Sequence, residues 1–204
     1  MVKRRLESCS RVALHSVPAA DTRTAVLDAA ARLFDARGFA AVSIGELTAA
    51  SGVSNGSIYH HFGSKEGVLA EVVAGALEGY HRTLLAALAA HEGDGPGGVR
   101  AAVAHELAWF ARHPREARLL LAHRDAVAAT GRLRAPNRAV LRAVDAWARA
   151  AIGPEIDLDL LHAVVFSPAR SIGALWVAKR IENDPTTYAA ALGDAAWAGL
   201  KATR

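Results

Sequence analysis

Cysteine is nearly absent from this chain: Cys9 stands alone, so no disulfide can form within it and no multi-cysteine zinc site exists. That usage fits a reducing compartment, and a cytoplasmic location is expected. Aromatic residues are scarce, at 6%, and no segment alternates polar and apolar residues in the way a strand would. No uncharged apolar run approaches the roughly 18 residues of a membrane span, so no membrane partner is expected. Lys3-Arg4-Arg5 ahead of Val12 to Ala20 loosely mimics a signal peptide. Glu7, Ser8, Ser10, Arg11, His15 and Ser16 interrupt the apolar stretch such a signal needs. Charge of one sign is also missing in quantity. The net charge is +4 with a pI near 9.6; residues 1–68 carry eight Lys/Arg against six Asp/Glu, and the remainder sixteen against fourteen. Such mild basicity permits nucleic acid binding without indicating it.

What is present favours helices. The apolar fraction is 52% against 22% charged residues, the balance of a foldable globular chain. Alanine dominates that apolar set, and it loses no side-chain entropy on entering a helix. After a basic, aperiodic arm at 1–20, Ala25, Val26, Ala29, Ala30, Leu33 and Phe34 recur at helical spacing, with Asp21 as N-cap and Gly38 as terminator. Ser43 followed three residues later by Glu46 is a capping box that opens a short helix ending at Gly52. Ser54 starts another short helix that closes near His60, and Ser64-Lys65-Glu66 begins a long one. Gly93 to Gly98 reads as a loop, and helices are expected at about 98–112, 115–129, 134–151, 157–181 and 185–202. Pro168 should kink the fourth of these. The expected fold class is therefore all-α, with a three-helix head at 21–67 and a helical body at 68–204.

Two short helices joined at a glycine inside a three-helix unit form a helix-turn-helix. Gly52 suits a turn position with positive φ. Ile44, Leu47 and Val53 should pack inward on Leu33 and Phe34, which frees the second helix to enter a major groove. Ser54, Asn55 and Ser57 are short donors and acceptors suited to base edges or phosphates. Tyr59, His60 and His61 add hydroxyl and imidazole groups. Lys65 sits in the first turn of the next helix, where its charge and the free N–H groups favour a phosphate.

From Thr22 to Leu69 the chain resembles the DNA-binding domain of the TetR/AcrR family. The matching residues are Ala29 to Phe34, Gly38-Phe39, Ser43-Ile44, Gly52-Val53-Ser54, Gly56 to Phe62 and Ser64-Lys65-Glu66. The resemblance implies phosphate contacts from Tyr59, His60, His61 and Lys65, and base reading by Ser54, Asn55 and Ser57. It adds Arg23 and Ser43 to the expected DNA-binding set. Thr48 and Ser51 depart from it, standing where the family usually has alanine, which should loosen the packing of the first motif helix. It also implies a homodimer formed by the last two long helices, which are rich in Ala and Gly, and a body cavity for an apolar small-molecule effector. His105, Trp109, His123, Trp147, His162 and Phe166 are the candidate lining residues. The partner expected for the head is double-stranded DNA carrying a pseudo-palindromic operator.

Rival readings are weaker. Gly52-Val53-Ser54-Asn55-Gly56 fits the hydrolase pattern G-x-S-x-G, which needs a preceding strand that is absent here. His60 and His61 are adjacent and diverge on a helix, and His105 and His113 do not form His-Glu-x-x-His, so no metal, cofactor or catalytic residue is expected. Arg134, Arg138, Arg142 and Arg149 run beside an apolar stripe and read as a solvated helix face rather than a second nucleic-acid patch. Lys3-Arg4-Arg5 suits a minor-groove arm or a terminus without a role. A helical enzyme or lipid-binding protein that merely contains a helix-turn-helix-like unit is the alternative from another class.

Overall fold

The structure is a computed structural model that describes residues 19–202; the basic arm with Lys3, Arg4 and Arg5 lies outside the described residues. Among these, nine helices and no strands form a three-helix head and a helical body. Helix α1 (Ala19–Arg37) buries Val26, Ala29, Ala30 and Phe34 and ends at Gly38, whose φ is +80°. The Gly38 N–H closes the last turn on the Phe34 carbonyl at 2.9 Å.

Helix α2 (Ile44–Ser51) opens with the expected capping box: Ser43 accepts from the Glu46 N–H, and the Glu46 carboxylate accepts from the Ser43 N–H at 2.8 Å. Gly52 ends it at φ +71°, a conformation a side chain would strain. Ser51 tightens this turn, because its hydroxyl donates to the Leu47 carbonyl and accepts from the Val53 N–H. Thr48 is the weaker departure, since its hydroxyl oxygen is buried without a partner. Helix α3 (Asn55–Phe62) is capped by Ser54, and helix α4 (Lys65–Ala89) by Ser64. A Cβ on Gly67 would meet the Phe62 carbonyl oxygen at 1.9 Å, so only glycine lets α4 start this close to the end of α3.

Helix α4 runs unbroken from the head into the body, where α5 (Gly95–Arg112), α6 (Pro114–Ala129) and α7 (Arg134–Ala151) pack around it. The expected loop at 93–98 is shorter than its glycines suggest. Asp94 caps α5 by accepting from the Gly97 N–H, and Pro96 fits the first turn, where a missing N–H is harmless. Gly98 is small for a tertiary reason: a Cβ there would lie 2.0 Å from the Trp147 ring.

Helix α8 (Leu158–Val177) is long and apolar enough to cross a membrane by length and composition, yet it carries Asp159 and Arg170. A π turn at His162–Phe166 occurs in place of a simple proline kink, and the Ser167 N–H reaches back five residues to His162. The helix stops at Val177 rather than 181, because Lys179 takes up φ +56° and the Arg180 N–H caps Leu175. A 3₁₀ turn at Pro185–Tyr188 leads into α9 (Ala189–Ala202), which packs chiefly on α5.

Candidate nucleic-acid interface and body cavity

The head presents α3 on a rigid base. Leu47 and Ile58 are fully buried and lock α2 and α3 together over Phe34 and Val42. What remains outside is a compact polar face. Asn55, Gly56, Tyr59 and His60 are exposed, and their i, i+4 spacing puts Asn55 beside Tyr59 and Gly56 beside His60. Tyr59, half exposed, is one of the few large hydrophobic residues left in water. Ser57 and His61 flank this face, with the His60 and His61 rings 5.4 Å apart. Ser54 is partly committed as the N-cap, accepting from the Ser57 N–H at 3.2 Å, so the serine of the hydrolase-like pattern has a structural task.

Three of the expected DNA-binding residues are engaged by bonds within the protein, Ser43 while exposed and Arg23 and Lys65 while half-buried. Lys65 donates to the Phe39 and Val42 carbonyls at 3.0 and 2.8 Å, and its ammonium lies 4.3 Å from the centre of the Phe39 ring. It thereby ties down the α1–α2 connection. Arg23 bonds Glu71 on α4 and lies over the Phe62 ring. Ser43 is occupied by its capping box. Lys65 serves carbonyls of the α1–α2 connection, Arg23 a carboxylate on α4, and the Ser43 hydroxyl both accepts from the Glu46 N–H and donates to its carboxylate.

The body contains a cavity of about 370 Å³ between α4, α5, α6, α7 and α8. Of the six candidate lining residues, Trp109, His162 and Phe166 face this cavity. His105, His123 and Trp147 do not. His105 turns to the Thr83 hydroxyl at 2.8 Å and the Tyr80 ring, His123 packs against Phe39 of the head, and the Trp147 indole N–H donates to the His91 carbonyl. His105 thus stacks behind the cavity residue Tyr80, whereas His123 and Trp147 turn to partners outside the cavity.

The polar heart of this space was not foreseen from the residue pattern. Glu106 is the one buried charged residue among the described residues, with 1% of its surface exposed. It accepts from the Tyr80 hydroxyl and from Arg170 Nε at 2.9 Å. Burial, and then the Glu106 charge, raise the Tyr80 hydroxyl well above its ordinary range, so it stays a donor. Burial lowers His81 to about 4, aided by the positive charges of Arg124 and Arg170, and the wall therefore presents a neutral imidazole. Leu77, Leu84, Phe110, Leu120 and Val144 supply the apolar surface. Glu106 occupies a helix position between apolar residues, and that alone hints at a buried carboxylate.

Helix α6 connects the two regions. Its Ala117, Leu120, Leu121 and Arg124 line the cavity, while Arg118 grips Asp35 of α1 through two bonds of 2.7 and 2.8 Å. That bidentate bond, more than any other influence, lowers the Asp35 carboxyl. Glu71 adds a second link by pairing with Arg23 of α1 and with Arg132 ahead of α7.

Residues 26–72 match the family model described as bacterial regulatory proteins of the tetR family. A transcriptional repressor of Rhodococcus jostii, KstR2, is 41% identical over 78 residues, covering 34% of this chain and 38% of that protein. The regulator AcrR of Shigella flexneri is 43% identical over 54 residues, or 26% of this chain and 25% of its own length. The chain thus matches little more than a third of the curated relatives' length. Across the whole fold, a TetR-like transcriptional regulator from Rhodococcus sp. RHA1 superimposes with a TM-score of 0.68 at 20% identity, covering 91% of this chain and 99% of that one.

Proposed function

Because the chain belongs to the tetR family of bacterial regulatory proteins by its residues 26–72, we propose that it is a repressor released from its operator by a small molecule bound in the body. The head at 21–67 reads DNA, and the body at 68–204 senses the effector and forms the dimer. The observation that carries the DNA half is the exposed α3 face of Asn55, Tyr59 and His60, held by two capped helices over a buried core. Asn55 offers an amide suited to base edges, while the Tyr59 hydroxyl and the His60 imidazole suit phosphate contacts.

The dimer forms through α8 and α9. Ala190, Ala191, Ala195 and Ala198 are exposed along α9, and a face of small side chains lets a second copy approach closely. Two heads then sit about 34–36 Å apart and address a pseudo-palindrome. The effector acts through α6. A ligand between α4, α6 and α7 favours an arrangement in which Arg118 pulls on Asp35 and His123 on Phe39, and the head spacing no longer fits the groove. Binding to DNA weakens because the ligand prefers that arrangement.

The test is a titration of the full chain onto labelled DNA from its own upstream region, against unrelated DNA of equal length. Tight binding by two protomers per site, with preference for the upstream DNA and loss of that preference in Asn55→Ala, supports the reading. Equal affinity for both DNAs, and no enriched sequence on selection from random DNA, refutes it.

A further inference from the structure

The wall of the body cavity is rich in rings. Tyr80, His81, Trp109, Phe110, His162 and Phe166 all face the space. Tyr80 and Trp109 meet edge to face at 5.4 Å, Trp109 and Phe110 at 5.8 Å, and His162 leans on Phe166 at 5.7 Å. A flat aromatic guest fits among them through the same offset and edge contacts that they make with one another. At about 370 Å³ the space stands near the low end of the roughly 300–1,000 Å³ of small-molecule sites, so it suits a guest of one or two rings. The mouth passes Leu121 and Leu141, which keep 48% and 59% of their surfaces in water.

The charges on the wall cancel. Arg124 and Asp125 offset one another on exposed α6, and inside Arg170 is matched by Glu106. An ion that entered would lose its hydration without gaining an unpaired counter-charge. What the wall leaves open is hydrogen-bonding capacity. The side chains of His81, Asn137 and His162 line the space and hydrogen-bond no other described residue. Burial holds His81 at about 4 and also lowers His162, so both rings are neutral near pH 7. Arg124 and Arg170 act on both, which puts the two rings at the same end of the space. A neutral imidazole carries one N–H and one bare nitrogen that only accepts. The donor for that nitrogen must come from the guest, because the Tyr80 hydroxyl is committed to Glu106. A hydrocarbon would strip water from these groups and return nothing, an ether or ketone has no proton to give, and an ammonium brings a charge. An aromatic hydroxyl both donates and accepts, and like the phenol of tyrosine it stays protonated up to about pH 10.

We propose that the cavity takes an uncharged aromatic alcohol of one or two rings, packed among Trp109, Phe110 and Phe166, whose hydroxyl donates to the imidazole of His81 or His162. This rests on the reading of the cavity as the effector site and adds the class of molecule it takes.

The experiment titrates the full chain by calorimetry near neutral pH with four probes that share one ring system: 1-naphthol, 1-methoxynaphthalene, 1-naphthoate and 1-naphthylmethylammonium. Naphthol should bind at least about 10-fold tighter than each of the others, because the ether leaves an imidazole nitrogen unpaired and the ions bring uncompensated charge. In His81→Leu/His162→Leu, naphthol should fall to the level of the ether, whose own affinity holds. Three results come from the unaltered protein and do not depend on a variant folding. Naphthoate or the ammonium binding as tightly as naphthol overturns the uncharged class, the ether binding as tightly overturns the role of the hydroxyl, and no binding by any probe overturns the ligand class altogether. A preference for naphthol that survives in the double variant overturns the assignment to the imidazoles. A parallel titration of upstream DNA with and without 1-naphthol distinguishes this proposal from the reading it rests on. Binding in the expected order with unchanged DNA affinity keeps the ligand class and overturns the cavity as effector site.

Discussion

Replacing Arg170 by methionine would remove the cation that balances Glu106 while keeping most of the side-chain volume. Glu106 is 1% exposed and would retain only the Tyr80 hydroxyl as a bonding partner. Breaking one side of a buried ion pair typically costs about 3–5 kcal/mol, because the surviving charge is left without compensation. Arg170 keeps 30% of its side chain in water, which gives solvent a route to the site and points to the lower end, about 3 kcal/mol. For a chain of this size that corresponds to a fall in Tm of roughly 6–12 °C. The informative comparison is Tyr80→Phe/Glu106→Met/Arg170→Met, which removes the whole polar group and leaves no buried carboxylate or hydroxyl. Apolar replacement of a complete buried network is often neutral, so the triple variant should recover most of the loss. Urea unfolding at fixed protomer concentration measures both, which keeps any contribution from association constant. If Arg170→Met unfolds within about 1 kcal/mol of the parent, or the triple variant is as unstable as the single one, Glu106 is not a stranded charge in the variant and the reasoning fails.

Gly98→Ala puts a Cβ where the Trp147 ring now sits, 2.0 Å from its nearest atom, and should cost about 1–3 kcal/mol with a shift in tryptophan emission. Burial lowers both His81 and His105 to about 4. The folded protein keeps them neutral while the unfolded chain protonates below 6.5, so stability should be lost as pH falls from about 6.5 towards 4. The His81→Gln and His105→Gln variants should each flatten that slope in urea unfolding at about pH 7 and pH 5; an unchanged slope refutes the assignment. Arg118→Ala cuts the bidentate tie to Asp35 without touching the cavity wall. The variant should bind operator DNA but release it less on addition of effector, measured as the ratio of affinities with and without it. Tyr59→Phe should weaken binding to all DNA sequences alike, whereas Asn55→Ala should change the preference among them.

The sequence by itself determined the parts of this protein whose causes lie within four or five residues. Ser43 and Glu46 cap one another, Gly52 adopts a positive φ, and the helical period puts Leu47 and Ile58 inward and Asn55 and Tyr59 outward. These are facts of local hydrogen bonding and side-chain direction, and the motif they build is legible in the residue order alone. Asp94 and Pro96 are signals of the same class, yet the surrounding glycines mask them and make Gly95–Gly98 read as loop. The tertiary structure alone decided the rest. Tyr80, Glu106 and Arg170 meet across gaps of 26 and 64 residues, and nothing in the sequence near any of them announces the other two. Packing turned Lys65 inward to two carbonyls from the α1–α2 connection, and it kept His105, His123 and Trp147 out of the cavity lining. The physical reason is one of range: a periodic pattern fixes which way a side chain points from its own helix, whereas what it meets there depends on how the helices pack.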